Sequence, residues 1–173
     1  MLEAARGMYQ ISTDTSRLDI SVIHRFLSEA YWSPGIDRET VERSIEHSLP
    51  FGIYLDTEQV GFARVISDRA TFAYIADVFI VPTHRGQGLG KWLVDVILGH
   101  PELQGLRLWM LRTRDAHGLY EQFGFQPPSI PSLIMERSGS GSAAPTNRPD
   151  MTGPSRREKR RGSPDPRAGE LGE

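Results

Sequence analysis

The sequence contains no cysteine. Disulfides, cysteine-ligated zinc and thiol nucleophiles are therefore excluded, and the absence fits a cytosolic protein. No apolar run approaches the roughly 18 residues of a membrane-spanning helix. The first seven residues, Met1–Gly7, lack the apolar core of a secretory signal. The expected location is cytoplasmic, with no membrane partner and no metal. A basic excess is also missing: the formal net charge is −2 over 173 residues. That balance argues against nucleic acid as the principal partner. Hydrophobic residues make up 38% of the chain, enough to build one ordinary domain and short of two.

These apolar residues are unevenly spread. Nearly all lie between Met8 and Arg137, which sets the expected domain at 8–137, preceded by a loose extension over 1–7. Residues 138–173 are rich in Gly, Ser, Pro and Arg, with Met151 and Leu171 as the only large apolar side chains. Such a segment cannot bury enough surface to offset roughly 1–2 kcal/mol of ordering entropy per residue, so a disordered tail is expected. The tail carries a basic cluster, Arg156–Arg161, diluted by five acidic residues.

Within 8–137 strand and helix patterns alternate. Tyr9–Ser12 reads as a short strand. Ile20, Ile23, Phe26, Leu27, Ala30 and Tyr31 recur at helical spacing behind Asp19, a good cap. Asp37 is placed to cap a second helix with Val41, Ile45 and Leu49 on one stripe. Three strands follow, Phe51–Leu55, Val60–Ser67 and Thr71–Val81, the first two joined by a hairpin turn at Asp56–Gln59. Leu89, Trp92, Leu93, Val96 and Ile97 mark another helix, stopped by Gly99 and Pro101. A strand over Leu106–Leu111, a short helix over Asp115–Phe123 and closing strands at Phe125 and Leu133–Met135 complete the pattern. A meander followed by a strand–helix–strand unit predicts an α/β fold, a mixed, mostly antiparallel sheet with helices on both faces.

The strongest local signal is Val81-Pro82-Thr83-His84-Arg85-Gly86-Gln87-Gly88-Leu89-Gly90-Lys91. Alternate glycines between a strand and a helix let backbone N–H groups converge where the helix dipole is positive, which suits phosphate or pyrophosphate. Arg85 and Lys91 add full charges at the edges. A nucleotide P-loop is excluded, because Arg85 and Trp92 stand where it needs Gly and Ser or Thr. A dinucleotide fingerprint fails at Lys91.

What remains resembles the acyl-coenzyme A motif of the GNAT superfamily, Arg/Gln-x-x-Gly-x-Gly/Ala, as Arg85-x-x-Gly88-x-Gly90. Leu119-Tyr120-Glu121-Gln122-Phe123-Gly124-Phe125 is similar to the superfamily's Leu-Tyr-x-x-x-Gly-Phe signature. The resemblance covers about Tyr9 to Arg137 and is to small, bacterial-type, single-domain members. It implies a splayed central strand pair and acetyl-coenzyme A as cosubstrate. The pyrophosphate would lie on the amides of Arg85, Gly86, Gln87, Gly88, Leu89, Gly90 and Lys91, and the pantetheine arm beside Phe79, Ile80 and Val81.

The implied reaction is direct attack of an amine on a thioester, an N-acetyltransferase activity. Tyr120 matches the superfamily's general acid at the sulfur. The frequent base position holds Ala76, which leaves Asp77 as the nearest carboxylate, with Glu29, Tyr74 and His117 behind it. Thr113 stands where many relatives carry a coenzyme A-contacting Asn. Tyr31 and Trp32, on the loop between the first two helices, are candidates for the acceptor side, joined by Tyr74. The acceptor itself, a small-molecule or peptide amine, is not named by the sequence, and homodimerisation is left open. Ala76 also keeps alive an alternative, an inert acyl-coenzyme A sensor on the same fold.

Overall fold

A computed structural model describes residues 1–137 and 139. The chain divides into two compact units, Met1–Ser129 and a second beginning at Ile130. In the first unit a six-stranded sheet runs in the order β1-β2-β3-β4-β5-β6, so neighbours in the sheet are neighbours in sequence. The strands are β1 (Glu3–Arg6), β2 (Tyr9–Ser12), β3 (Leu49–Leu55), β4 (Glu58–Ser67), β5 (Phe72–Ile80) and β6 (Leu108–Leu111). The first five pair antiparallel, and only β5 and β6 run parallel. The helices are α1 (Ile20–Glu29), α2 (Arg38–Glu46), α3 (Leu89–Leu98) and the single turn α4 (His117–Tyr120).

Helix starts follow from their caps. The Asp19 carboxylate accepts from the Ser21 and Val22 N–H groups at 2.8 and 3.1 Å, and Asp37 accepts from Thr40 N–H at 2.8 Å. Each satisfies N–H donors that an α-helix leaves without internal partners. Ile23 and Leu27 of α1, with Val41 and Ile45 of α2, cover one face of the sheet, over Phe62 and Phe79. Leu89, Leu93 and Ile97 of α3 cover the other, over Phe51, Ile53, Val65 and Ile75. Each such burial is worth roughly 1.5–3 kcal/mol, which anchors α3 and fixes the loop in front of it.

Three expectations change. Residues 1–7 were expected to be loose, yet Glu3–Arg6 pairs with β2 across a two-residue turn at Gly7-Met8, with Gly7 at φ +60°. The strand is polar and mostly exposed, as an edge strand is. Leu49 does not extend the α2 stripe; it opens β3, opposite Val65. The closing strands at Phe125 and Leu133–Met135 are not formed among the described residues. Phe125 instead follows a turn, its N–H bonded to the Tyr120 carbonyl, and Pro131–Leu133 is a 3-10 turn. The expected tail over 138–173 lies outside the described residues except for Gly139.

Candidate active site

Two backbone features open the sheet at its β5–β6 end. The β5–β6 ladder runs from Phe72 opposite Leu108 to Ile75 opposite Leu111 and then stops, while β5 continues to Ile80. At that point the β4–β5 register slips: Arg64 pairs with Ala76 and Phe62 with Phe79, so β5 carries one extra residue. The bulge holds Asp77 at φ +54°. A left-handed conformation costs a residue with a side chain about 1–2 kcal/mol. The Asp77 carboxylate offsets it, accepting from Arg64 Nε at 2.5 Å and from the Trp32 indole N–H at 3.2 Å.

The parted strands lead to the glycine loop. Val81 N–H still bonds to Val60, then Pro82–His84 makes one 3-10 turn. Gly86 and Gly88 sit at φ +78° and +74°, and Gly88 caps α3 without a side-chain hydrogen bond. As a result, among the described residues, no backbone N–H from Gly86 to Lys91 has a protein acceptor. Six consecutive donors at the positive end of a ten-residue helix are the kind of arrangement that suits an anion.

Neighbouring side chains brace this loop. Arg85 Nε donates to the Ile80 carbonyl at 3.0 Å. From the N-terminal hairpin, Arg6 donates to the Gly88 carbonyl at 3.2 Å, and the Tyr9 hydroxyl lies 3.0 Å from His84 Nδ1 and 3.1 Å from Gln87 Oε1.

One groove of about 850 Å³ joins these parts. Its lining takes Val78, Phe79 and Ile80 from β5, the loop from Arg85 to Lys91 except Gln87, and Tyr31 and Trp32 from the α1–α2 connection. Glu29, Arg114, Asp115 and Tyr120 also line it. Tyr120 is 7% exposed and packs edge-on against Phe125. Burial, with smaller contributions from Tyr31 and Asp115, pushes its phenol up to about 12. The hydroxyl therefore keeps its proton throughout the neutral range. Across the mouth, Arg114 lies 3.8 Å over the Tyr31 ring and donates its backbone N–H to the Tyr31 hydroxyl at 3.0 Å.

Sequence and fold comparisons agree with this geometry. The family described as acetyltransferase (GNAT) domain matches residues 46–127. A candidate acetyltransferase from Gibberella zeae is 32% identical over 138 residues, covering 66% of this chain and 77% of that protein. A crystal structure of a candidate GNAT acetyltransferase from Xanthomonas campestris is 52% identical, with a TM-score of 0.75, covering 79% of this chain and 97% of that one. The chain belongs to the GNAT acetyltransferase family. A candidate acetyltransferase from Clostridium acetobutylicum, crystallised with acetyl-CoA, shares the fold at 17% identity, with a TM-score of 0.57 over 75% of this chain and 94% of that one.

Within this GNAT domain some expected site residues lie apart from the groove. Thr113 does not line it; its hydroxyl accepts from the Ala116 N–H at 3.0 Å and starts the α4 turn. Tyr74 lies on the paired half of β5, opposite Ile66 and Met110, and is also outside the lining. Gln87 faces a second, smaller concavity with Arg6 and Tyr9, and Val81 lines neither. Phe79 contributes to the groove, but its ring is buried, stacked on Phe26 at 3.9 Å. Asp77 is absent from the lining too, with Trp32 present in it. Sequence reasoning missed Arg6, Tyr9 and Arg114. The Gly7 turn could have revealed the hairpin that carries the first two.

Proposed function

We propose that this protein is an acetyl-CoA-dependent N-acetyltransferase acting on an amine by direct transfer. The observation that carries the reading is the continuous groove, with free N–H donors at one end, unpaired β5 backbone in the middle and Tyr120 beside it. Family membership supports acetyl transfer in general; the amine and the roles below are our assignment.

The donor fits the chain's own groups. Amides 86–91, with Arg85 and Lys91, would receive the pyrophosphate. The β5 edge beyond Ile75 offers the kind of unpaired backbone that an extended arm can join as an added strand. Acetyl-CoA supplies a thioester. An ammonium from the acceptor must lose a proton before its nitrogen can attack; the C–N bond then forms, the C–S bond breaks, a thiolate departs, and the new amide nitrogen sheds its remaining excess proton to solvent. Glu29 and Asp115, the carboxylates that line the groove, are available for the ammonium's charge or its proton. Tyr120 donates a hydrogen bond to the departing sulfur. Its phenol, raised to about 12, is a weaker acid than a thiol near pKa ~8.5, so hydrogen bonding outweighs complete proton transfer.

The test is thiol release from acetyl-CoA across a panel of amines, alongside calorimetric titration with coenzyme A. Amine-dependent thiol release supports the reading. Tight coenzyme A binding with no amine raising thiol release above hydrolysis would instead favour an acyl-CoA sensor. That alternative rests on Ala76 at the frequent base position and on the existing partners of Asp77.

A further inference from the structure

We propose that Asp77 is a positioning residue, whose carboxylate holds the Trp32 indole as the wall of the acceptor end of the groove, and that it does not take the amine's proton. The word acceptor here rests on the proposed acetyltransferase function; the clamp itself does not.

The geometry separates the two roles. A general base needs an open line to the proton it removes. Asp77 has little access: its side chain is 10% exposed, one oxygen is held by Arg64 and the other by Trp32. The groove is lined by Trp32, and Asp77 is not in that lining. Arg64 is itself only 17% exposed, so the pair forms a fixed, charge-assisted base for the indole N–H.

The clamp also explains how a short loop keeps an exposed tryptophan in one orientation. Trp32 is 42% exposed and lies on a connection that includes Pro34 and Gly35, the latter at φ +71°. The backbone of that connection does not by itself fix the ring. Three contacts do: the N–H bond to Asp77, an edge-on contact with Tyr31 at 4.9 Å, and a tilted one with Phe26 at 6.4 Å. Tyr31 in turn is fixed by Arg114 on the far side of the mouth. The guanidinium already covers the Tyr31 ring, so Trp32 presents the free aromatic surface. An aromatic face of this kind suits the alkyl chain or the cationic head of an amine.

Two readouts test this on the full chain. The first needs no substrate. Acrylamide quenching of Trp32, obtained by subtracting the Trp32→Phe protein, should increase at least two-fold in Asp77→Ala. Asp77→Asn, which keeps an oxygen for the indole, should lie between Asp77→Ala and the parent. Unchanged quenching in Asp77→Ala overturns the clamp. The second uses any amine found to be accepted. Asp77→Asn should raise the acceptor KM several-fold while kcat stays within three-fold and the pH–rate profile keeps its acidic limb. Trp32→Phe should show the same split, and the double variant should be no worse than the more severe single one. A hundred-fold fall in kcat with loss of the acidic limb in Asp77→Asn would make Asp77 the base and overturn the proposal. Should Asp77→Ala not fold, Asp77→Asn and Trp32→Phe carry both measurements. Absence of any accepted amine counts against the acetyltransferase reading, and the quenching result still decides the clamp.

Discussion

Gly88→Ala and Gly90→Ala lie two residues apart in one glycine motif, yet the structure predicts opposite outcomes. Gly88 sits at φ +74°, where a side chain costs about 1–2 kcal/mol. Sterics add little, because the nearest atoms to a new Cβ are the Arg6 guanidinium nitrogens at 3.4 and 3.5 Å, the end of a flexible chain. The backbone cost must appear somewhere. If the loop keeps its shape, stability falls, at about 3–5 °C per kcal/mol for a domain of this size. If the loop relaxes, stability is spared, but the amides turn away and coenzyme A affinity falls about 5- to 30-fold. Gly90 is helical with ordinary φ, and a Cβ there meets only Leu119 at 3.9 Å. Alanine should stabilise the helix by up to about 0.5–1 kcal/mol and leave affinity within two-fold, as expected of a motif that accepts Gly or Ala there. Thermal unfolding and isothermal titration with coenzyme A, run on the three proteins, measure both quantities. A Gly88→Ala protein matching its parent in melting temperature and in affinity would refute the reasoning.

Tyr120→Phe keeps the ring against Phe125 and removes the hydroxyl, so kcat with an accepted amine should fall about 10- to 100-fold, at the low end for acid catalysis, while coenzyme A Kd moves less than two-fold; turnover within two-fold of the parent would leave Tyr120 a packing residue. His100 is buried, with Nδ1 accepting from the Glu102 N–H, and burial holds its pKa below the ordinary 6.5. The unfolded chain therefore binds the proton more readily, and the stability contribution is complete above about pH 6.5 and lost as pH falls from there toward the folded value. Melting temperatures from pH 8 to 5 should decline less steeply in His100→Asn, and parallel curves would exclude this histidine as a cause. Asp77→Gly retains the left-handed bulge without the carboxylate, so coenzyme A affinity should stay within two-fold while Trp32 becomes more quenchable; a ten-fold loss of affinity would mean the bulge needs its ion pair.

Much of the donor half was legible in the sequence because it is local. The glycine loop, the strand before it and α3 behind it occupy one stretch, and each is built from short-range rules of capping, periodicity and φ preference. Asp19 and Asp37 cap as their spacing predicted, for the same reason. On the Tyr31–Trp32 side the sequence named residues but not their contacts, which join positions distant in the chain. Trp32 and Asp77 are 45 residues apart, and Tyr31 and Arg114 83. The bulge was hidden for another reason. Alternation places Ala76 and Asp77 on opposite faces of a regular strand, and an aspartate gives little warning of a positive φ inside one. Strand β1 escaped because an exposed polar edge strand has no apolar period to read.

The bulge ties the two halves together. One extra residue in β5 shifts the register with β4, and beyond Ile75 the strand no longer pairs with β6. That is the opening in which an extended donor can lie. The same extra residue turns the Asp77 carboxylate onto Arg64 and Trp32, fixing the aromatic wall at the other end of the groove. On the proposed function, the donor opening and the aromatic wall thus share an origin in residues 76–79. The sheet beneath them, whose core at Phe62 and Phe79 is buried on the α1–α2 face, gives the glycine loop and the α1–α2 connection a common frame. On the proposed function, that frame would hold the thioester and the aromatic wall on one scaffold, as a rigid sheet positions the loops that carry a site.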